Sequence, residues 1–212
     1  MKEWVGERTI KKLGKQAMSI ENKLFESTVS VPRTDIEDDQ VGIYRPIMKQ
    51  AGVSAAELPD DLVWPLLAKG KATLCYDGQN FFDTDHVWYE NVDGTGTTKN
   101  MSNLTTGTDA AAPTWYVIDD TNVLKPLVYQ ERTKPEFETK FDPSKSDKVF
   151  LEDVYLYGIR ARGNAGFGLW QLAHMVEKTN LTKAALAKVV KEMKELKTDG
   201  GYDLKIRPSL LV

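Results

Sequence analysis

The stretch AMSIENKLFESTVSV, residues 17–31, predicts a β-hairpin with one polar face. Two strand-like runs, AMSI and LFESTVSV, flank the polar turn sequence ENK. In the second run Phe25, Val29 and Val31 alternate with polar residues, which is the period of a half-buried strand. The hairpin is expected to end at Pro32, because proline has no N–H to donate to a neighbouring strand.

A helical region is predicted after the hairpin and continues, with interruptions, to Gly70. Thr34 and Glu37 stand three apart, as in the capping box that opens many helices. Pro46 is placed to kink or restart the helix, and Pro59 is expected to restart it again. An apolar stripe at helical spacing supports this prediction and consists of Ile36, Val41, Ile43, Tyr44, Ile47 and Met48.

The rest of the chain divides by composition into three segments. Residues 71–113 are rich in Asp, Gly, Thr and Asn and predict a surface loop or β excursion. Residues 114–176 predict a sheet, and residues 177–212 contain an amphipathic helix that Asn180 or Thr182 caps. The strand-like runs are WYVI (115–118), LVY (127–129), VFL (149–151), YLYGI (155–159) and FGLWQLA (167–173). The chain is therefore predicted to be α+β, with helices and sheet in separate stretches.

The composition predicts a folded intracellular protein without disulfides. The chain has 212 residues, 41% of them hydrophobic, so it can bury a real core. A formal net charge of -3 disfavours a dedicated nucleic-acid binder, which is usually more basic. Cys75 is the single cysteine, and a reducing cytoplasm suits it. We expect a soluble protein, because no apolar stretch is long enough to cross a bilayer and no secretory signal is present.

The sequence begins and ends abruptly. Trp4 comes almost at the beginning, and the sequence SLLV, residues 209–212, has the pattern of the start of a buried strand. Two interpretations follow from the residues. Either the chain is a fragment, or it ends in a short edge strand of its own.

One short segment, residues 75–86, brings a thiol, an imidazole and several carboxylates close together in sequence. A small hydrolase using Cys75 and His86 is one interpretation, since a cysteine nucleophile needs a histidine to orient it. The other is a structural turn that the aromatic residues Phe81 and Phe82 anchor. The segment has no H-E-x-x-H or C-x-x-C spacing. We therefore predict no catalytic residues, no metal site and no cofactor.

Trp88 and Tyr89 lie in loop-like sequence, outside the periodicity of a core element. Aromatic residues in such positions either anchor their own loop or contribute to an interface, where they bury a large area. The sequence leaves both interpretations open.

Specific runs of residues are spread along the whole chain. They include KEWVG (2–6), DIEDD (35–39), CYDGQNFFD (75–83), NVDGTG (91–96) and AGFG (165–168). None of them is a generic binding motif. In this order they resemble the major head subunit (T protein) family of Mu-like phages, and the resemblance covers nearly the whole chain.

The resemblance implies a Hong Kong 97-type phage capsid fold. In that fold an extended hairpin called the E-loop is followed by a spine helix, a peripheral-domain sheet and an axial domain. Residues 1–33 would form the E-loop hairpin region, and residues 34–70 the spine-helix region. Residues 71–113 would be the loop or β excursion, residues 114–176 the peripheral-domain sheet, and residues 177–212 the start of a partial axial domain. Family members extend beyond both ends of this chain.

The resemblance also implies a structural function. The chain would be a major capsid protein that assembles into an icosahedral shell around DNA and catalyses no reaction. The implied partners are its own copies in hexamers and pentamers, scaffold and portal proteins, and packaged double-stranded DNA bound without sequence specificity. No membrane is implied, and the location is the virion, with the host cytoplasm during assembly. An encapsulin-like shell of non-viral origin is the structural alternative.

The residues expected to contact neighbouring subunits come from the hairpin, the loop aromatics and the glycine-rich bend near residue 163. Arg160 and Arg162 would face either packaged DNA or an acidic group of a neighbour. The full set of candidates is Met18, Ile20, Lys23, Phe25, Trp88, Tyr89, Arg160 and Arg162.

Overall fold

The computed structural model describes residues 19–38 and 42–212 of the chain. These residues form two compact units, each built from two separate segments. Ser19–Leu67 and Val128–Gly166 form the three-stranded unit, which is named after its sheet. Ala68–Leu127 and Phe167–Val212 form the four-stranded unit. In the described part of the chain, no helix has both the length and the apolar character needed to cross a membrane.

Helices and strands are mixed along the chain, so the prediction that both occur is confirmed, but the prediction that they occupy separate stretches is wrong. A single turn of 3-10 helix lies at Trp170–Leu172. In chain order the other elements are β1 (Lys23–Pro32), α1 (Arg33–Glu37), α2 (Tyr44–Ala68), β2 (His86–Tyr89), β3 (Thr98–Met101), β4 (Leu104–Thr106), β5 (Trp115–Ile118), β6 (Leu127–Lys140), α3 (Asp147–Glu152), β7 (Val154–Phe167), β8 (Ala173–Glu177), α4 (Lys183–Lys194) and β9 (Leu210–Leu211).

β7 is the central strand of the three-stranded unit, between β1 and β6. Every residue of β1, from Lys23 to Pro32, pairs with β7 in antiparallel register. The sequence predicted that β1 pairs in a hairpin with the run AMSI, residues 17–20. This prediction is wrong, because residues 19–22 form no strand. Residues 17 and 18 of the predicted hairpin lie outside the described residues. Alternating polar and apolar residues suit any antiparallel partner, so the pattern alone could not identify β7.

The described part of the predicted helical region contains α1 and α2. Pro32 occupies the N-cap position of α1 without a side-chain cap, so the capping box predicted for Thr34 and Glu37 is wrong. The Glu37 carboxylate instead accepts a hydrogen bond from Nε of Arg33 at 2.7 Å. α2 runs without a break through Pro59, where a restart was predicted. Its 25 residues keep enough other backbone hydrogen bonds to tolerate the one that this proline cannot donate.

The sheet of the four-stranded unit has the order β4-β8-β5-β9. β4 and β8 are parallel, whereas β5 is antiparallel to both β8 and β9. Thr182, one of the two predicted caps, opens α4, because its side-chain oxygen accepts a hydrogen bond from the N–H of Ala185 at 3.1 Å. The helix buries Val189 and Met193. Other large buried side chains of the unit are Phe81, Phe82, His86, Asn103, Asp119, Trp170 and His174.

The boundaries between the two units differ from the boundaries of the predicted segments. Residues 71–113 and residues 177–212 belong to the same unit. The strands within residues 114–176 are shared between the sheets, since β5 and β8 lie in the four-stranded sheet and β6 and β7 in the three-stranded one. Apolar patterns identify strands but not their partners, which here are far apart in sequence.

Two of the predicted strand runs differ from the structure. Residues 149–151 lie in α3, and residues 170–172 form the 3-10 turn. A run of three apolar residues fits a helix as well as a strand. In α3 only Val149 is buried, while Phe150 and Leu151 are exposed, so this run does not follow the alternation of a strand.

Candidate functional site

Of the predicted thiol and imidazole, Cys75 lies in the connection between α2 and β2, and His86 is the first residue of β2. Cys75 and Gln79 close a tight turn, in which the N–H of Cys75 donates to the carbonyl of Gln79 at 2.7 Å. Gly78 adopts a left-handed conformation there, with a φ of 86°. Phe81 and Phe82 follow at once, are buried, and pack edge to face with ring centroids 4.9 Å apart. Both aromatic residues therefore anchor this turn in the core.

The Cys75 thiol does not have the environment of a nucleophile. Its Sγ donates a weak hydrogen bond to the carbonyl oxygen of Gly168 at 3.5 Å. Partial burial raises the pKa of the thiol to about 11, so the thiol is protonated at neutral pH. The imidazole of His86 bonds to Asp77, not to this thiol. A cysteine nucleophile needs a thiolate and an adjacent base, and this arrangement supplies Cys75 with neither.

His86 is fully buried and lies between two partners. Its Nδ1 is 2.7 Å from Oδ2 of Asp77. Its ring stacks on the indole of Trp170 with nearly parallel planes. Nε2 has no hydrogen-bond partner within the residues that the structure describes. These contacts fasten the turn of residues 75–86 to the core, which is a structural role.

Asn103 is a buried polar residue whose role the sequence did not reveal. Its Nδ2 lies 2.8 to 3.2 Å from the carbonyl oxygens of Phe81, Trp170 and Ala173. Its Oδ1 accepts a hydrogen bond from the N–H of Asp83 at 3.0 Å. One side chain thus joins three segments of the four-stranded unit. A lone asparagine without a characteristic spacing carries no signal of such a role.

His174 on β8 lines a cavity of about 430 Å³ within the four-stranded unit. Its Nε2 is 2.8 Å from Oγ1 of Thr105 and 3.8 Å from Oε2 of Glu192. Burial lowers the pKa of His174 to about 4, and the nearby Lys188 acts in the same direction. Across residues 19–38 and 42–212 no three His, Cys, Asp or Glu side chains are grouped to hold a metal ion.

The contact residues predicted for the hairpin lie around the start of β1. Ile20 packs against Gly166. A Cβ atom added to Gly166 would lie 2.5 Å from Cγ1 of Ile20. Lys23 is exposed at the first position of β1, and Phe25 is half-buried. Met18 lies outside the described residues. Of these residues, Lys23 is the one whose side chain is most open to a partner.

Arg160 and Arg162 are both exposed on β7. Residues two apart on a strand point to the same face of a sheet, so the two guanidinium groups share a face. Neither group forms an ion pair with a described residue, although Glu26 of β1 lies opposite Arg160 in the register. Both cations are therefore available to an acidic partner.

Trp88 anchors its own hairpin, which β2 and β3 form. It lies opposite Lys99, whose Nζ is 5.2 Å from the centre of the indole ring. The ring also approaches Gly201, where an added Cβ atom would be 3.5 Å away. The N–H of Tyr89 donates to Asp199 at 2.9 Å, while the side chain is exposed. Trp88 thus has an intramolecular role, and the ring of Tyr89 is open to a contact.

Comparison with known proteins finds relatives along the whole chain. The chain matches, over residues 1–212, the family described as Mu-like prophage major head subunit gpT. It is 44% identical to the major capsid protein of Escherichia phage Mu, with 100% of this chain and 69% of that protein covered. It is 43% identical to the Mu-like prophage FluMu major head subunit of Haemophilus influenzae, with coverage of 99% and 68%.

Solved structures of a phage head are also similar to the chain. A chain from the procapsid of bacteriophage JBD30 matches with a TM-score of 0.85 and 51% identity, over 100% of this chain and 70% of that chain. A chain from the bacteriophage JBD30 capsid matches with a TM-score of 0.74 and 35% identity, over 100% and 69%. The likeness therefore extends from sequence to fold.

Proposed function

The chain belongs to the Mu-like prophage major head subunit gpT family, and we propose that it acts through contacts between subunits and not through a reactive group. It is a phage major capsid protein, as its relative from phage Mu is, and it is similar to a chain of the bacteriophage JBD30 procapsid. The observation that carries this conclusion is the 51% identity and TM-score of 0.85 to the procapsid chain over the full length of this chain. A symmetric shell repeats one set of contacts, so its stability comes from buried interface area.

A Hong Kong 97-type arrangement is the finer part of the proposal. We assign the three-stranded unit to the peripheral domain and the four-stranded unit to the axial domain. The 25-residue α2 supports this assignment, because a spine helix has to be long. α2 also leaves Ile47, Val53 and Trp64 exposed, as expected of a helix that a neighbouring subunit covers. Residues 1–33 remain assigned to the E-loop region, and β1, which lies within that range, also forms an edge of the three-stranded sheet.

The partners proposed for the chain are other copies in hexamers and pentamers, scaffold and portal proteins, and packaged double-stranded DNA. Contact with DNA would rest on local cations such as Arg160 and Arg162, since the net charge of -3 gives no overall attraction to phosphates. Assembly would take place in the host cytoplasm, before the subunit becomes part of the virion. No observation on the described residues favours an encapsulin-like shell.

A catalytic role is not part of the proposal. The protonated thiol of Cys75 and the buried imidazole of His86 support a structural turn instead of a hydrolase. Replacement of Cys75 by serine in the assembled protein should leave particle yield and morphology unchanged. A hydrolytic activity that disappears in this variant while folding is retained would contradict the structural interpretation.

Electron microscopy and sedimentation of the purified full chain test the main function. We expect closed shells, or rings of the size of capsomers, above a threshold subunit concentration. The same preparation in a dissociating concentration of urea provides the monomer reference. Monomers that persist at every concentration, with and without a head scaffold protein, would contradict the assignment.

A further inference from the structure

The three-stranded unit contains an open groove between α2 and its sheet. The volume of the groove is about 450 Å³. An added Cβ atom at Gly52 of α2 would meet no atom within 4 Å, so this wall is uncovered. Phe137 on the opposite wall is 54% exposed. The apolar lining consists of Met48, Gly52 and Ala55 from α2, Pro135 and Phe137 from β6, and Ile159 from β7.

The same unit carries an apolar knob on α3, which we define as Phe150 and Leu151. Their side chains are 72% and 77% exposed. Val149, between the knob and the core, is buried. The carbonyl of Asp153, at the C-cap of α3, accepts a hydrogen bond from the N–H of Arg33 at 3.0 Å. The knob is therefore held in place before any partner binds, which reduces the entropy lost on docking.

Charge makes the knob and the groove complementary. Three carboxylates, those of Asp147, Glu152 and Asp153, flank the knob. Lys148 offsets one of them, with its Nζ 3.8 Å from the Glu152 carboxylate. Of the described residues that line the groove, Lys49 alone is charged. An acidic, apolar element thus matches an apolar groove that contains one lysine.

We propose that the knob of one copy of this chain docks in the groove of a neighbouring copy, with Asp147 facing Lys49. The inference rests on the proposed shell function and names two surfaces that carry it. Knob and groove are different patches, so the contact is head to tail, and repetition of such a contact gives a ring when the rotation between copies closes. Both patches are uncovered in a single copy, so the knob does not fill its own groove.

Assembly assays on surface variants test the contact from both sides. The double variant Phe150→Ser with Leu151→Ser removes the knob, and Gly52→Leu fills the groove. Each should raise the subunit concentration needed for assembly by about tenfold, as loss of an interface anchor does. Val123→Ser is the matched control, because Val123 is also apolar and is 98% exposed but belongs to neither patch. Circular dichroism melts should be unchanged in all of these variants.

The outcomes separate the contact from the shell function. If the unaltered chain fails to assemble, the proposed function fails. If the unaltered chain assembles and the knob variant assembles at the same concentration, only this contact is refuted. Loss of assembly in Gly52→Leu alone also refutes it, because another segment would then occupy the groove.

Charge-reversal variants and cysteine variants locate the contact directly. Lys49→Glu should weaken assembly, and addition of Asp147→Lys should restore it. In a Cys75→Ser background, Phe150→Cys combined with Gly52→Cys should form disulfides between chains on mild oxidation of assembled particles, and Val123→Cys with Gly52→Cys should not. Absence of a crosslink, or a crosslink within one chain, would overturn the proposal.

Discussion

The imidazole of His86 lies flat on the indole of Trp170, with ring centroids 3.8 Å apart and ring planes 7° apart. The stack joins the start of β2 to the 3-10 turn that precedes β8, two segments far apart in sequence. Both side chains are buried, so neither ring can exchange this contact for water. The stability of the four-stranded unit therefore depends on it.

Trp170→Ala should lower the free energy of unfolding by about 3–5 kcal/mol, because it removes a large buried ring and leaves a cavity beneath His86. Urea denaturation followed by circular dichroism measures the change. Val123→Ala, at a 98% exposed position, is the control and should change the value by less than about 0.5 kcal/mol. Equal effects of the two substitutions would show that the stack is not important for stability.

Asn103→Asp should destabilise the fold by about 3 kcal/mol at pH 7, because a carboxylate replaces the amide that faces three carbonyl oxygens. Asn103→Leu should be destabilising too, since the carbonyls lose their donor. The two variants differ in acid. Protonation gives the aspartate a donor, so only Asn103→Asp should recover stability relative to the parent as the pH falls. A constant difference between them from pH 7 to pH 4 would refute this explanation.

The buried His174 should make stability depend on pH between about 6.5 and about 4. Its pKa is lowered from 6.5 to about 4 in the folded state, so the unfolded chain binds a proton first as the pH falls. Stability from this group is complete above the unfolded pKa and is lost as the pH falls towards the folded pKa, by about 3 kcal/mol in total. Unfolding of His174→Asn across this range should lack that contribution. A parallel pH dependence in both proteins would contradict the prediction.

The Cys75 thiol should resist alkylation in the folded protein. Its pKa of about 11 leaves very little thiolate at pH 8, and partial burial limits access. Iodoacetamide labelling followed by mass spectrometry should be slow in buffer and should reach the rate of a free cysteine in urea. Labelling at the same rate in both conditions would mean that the thiol is exposed and activated.

The amphipathic pattern and its cap made α4 predictable, because Thr182 stands where the apolar period begins. β1 was predictable as a strand because Phe25, Val29 and Val31 alternate with polar residues, but its partner strand was not predictable. Local alternation contains no information about a partner more than a hundred residues away. α3 was predicted as a strand instead of a helix. Only Val149 of its three apolar residues is buried, so the run shows neither a helical nor a strand periodicity.

The candidate site was less predictable than the fold. Cys75 and His86 were a possible catalytic pair because they are close in sequence. In the structure, however, His86 contacts Asp77 and Trp170. Asn103 acts through the directions of its two amide hydrogens, which only the folded backbone defines. The knob and the groove could not be predicted, because both are defined by apolar residues that are exposed. A sequence pattern does not distinguish an exposed apolar residue from a buried one.

The pairing of β1 with β7 has a consequence for synthesis on the ribosome. More than a hundred residues separate Pro32 from Val154, so β1 has no partner strand during roughly ten seconds of translation. The nascent chain therefore cannot complete the three-stranded sheet, which forms one wall of the groove, until β7 has emerged from the ribosome.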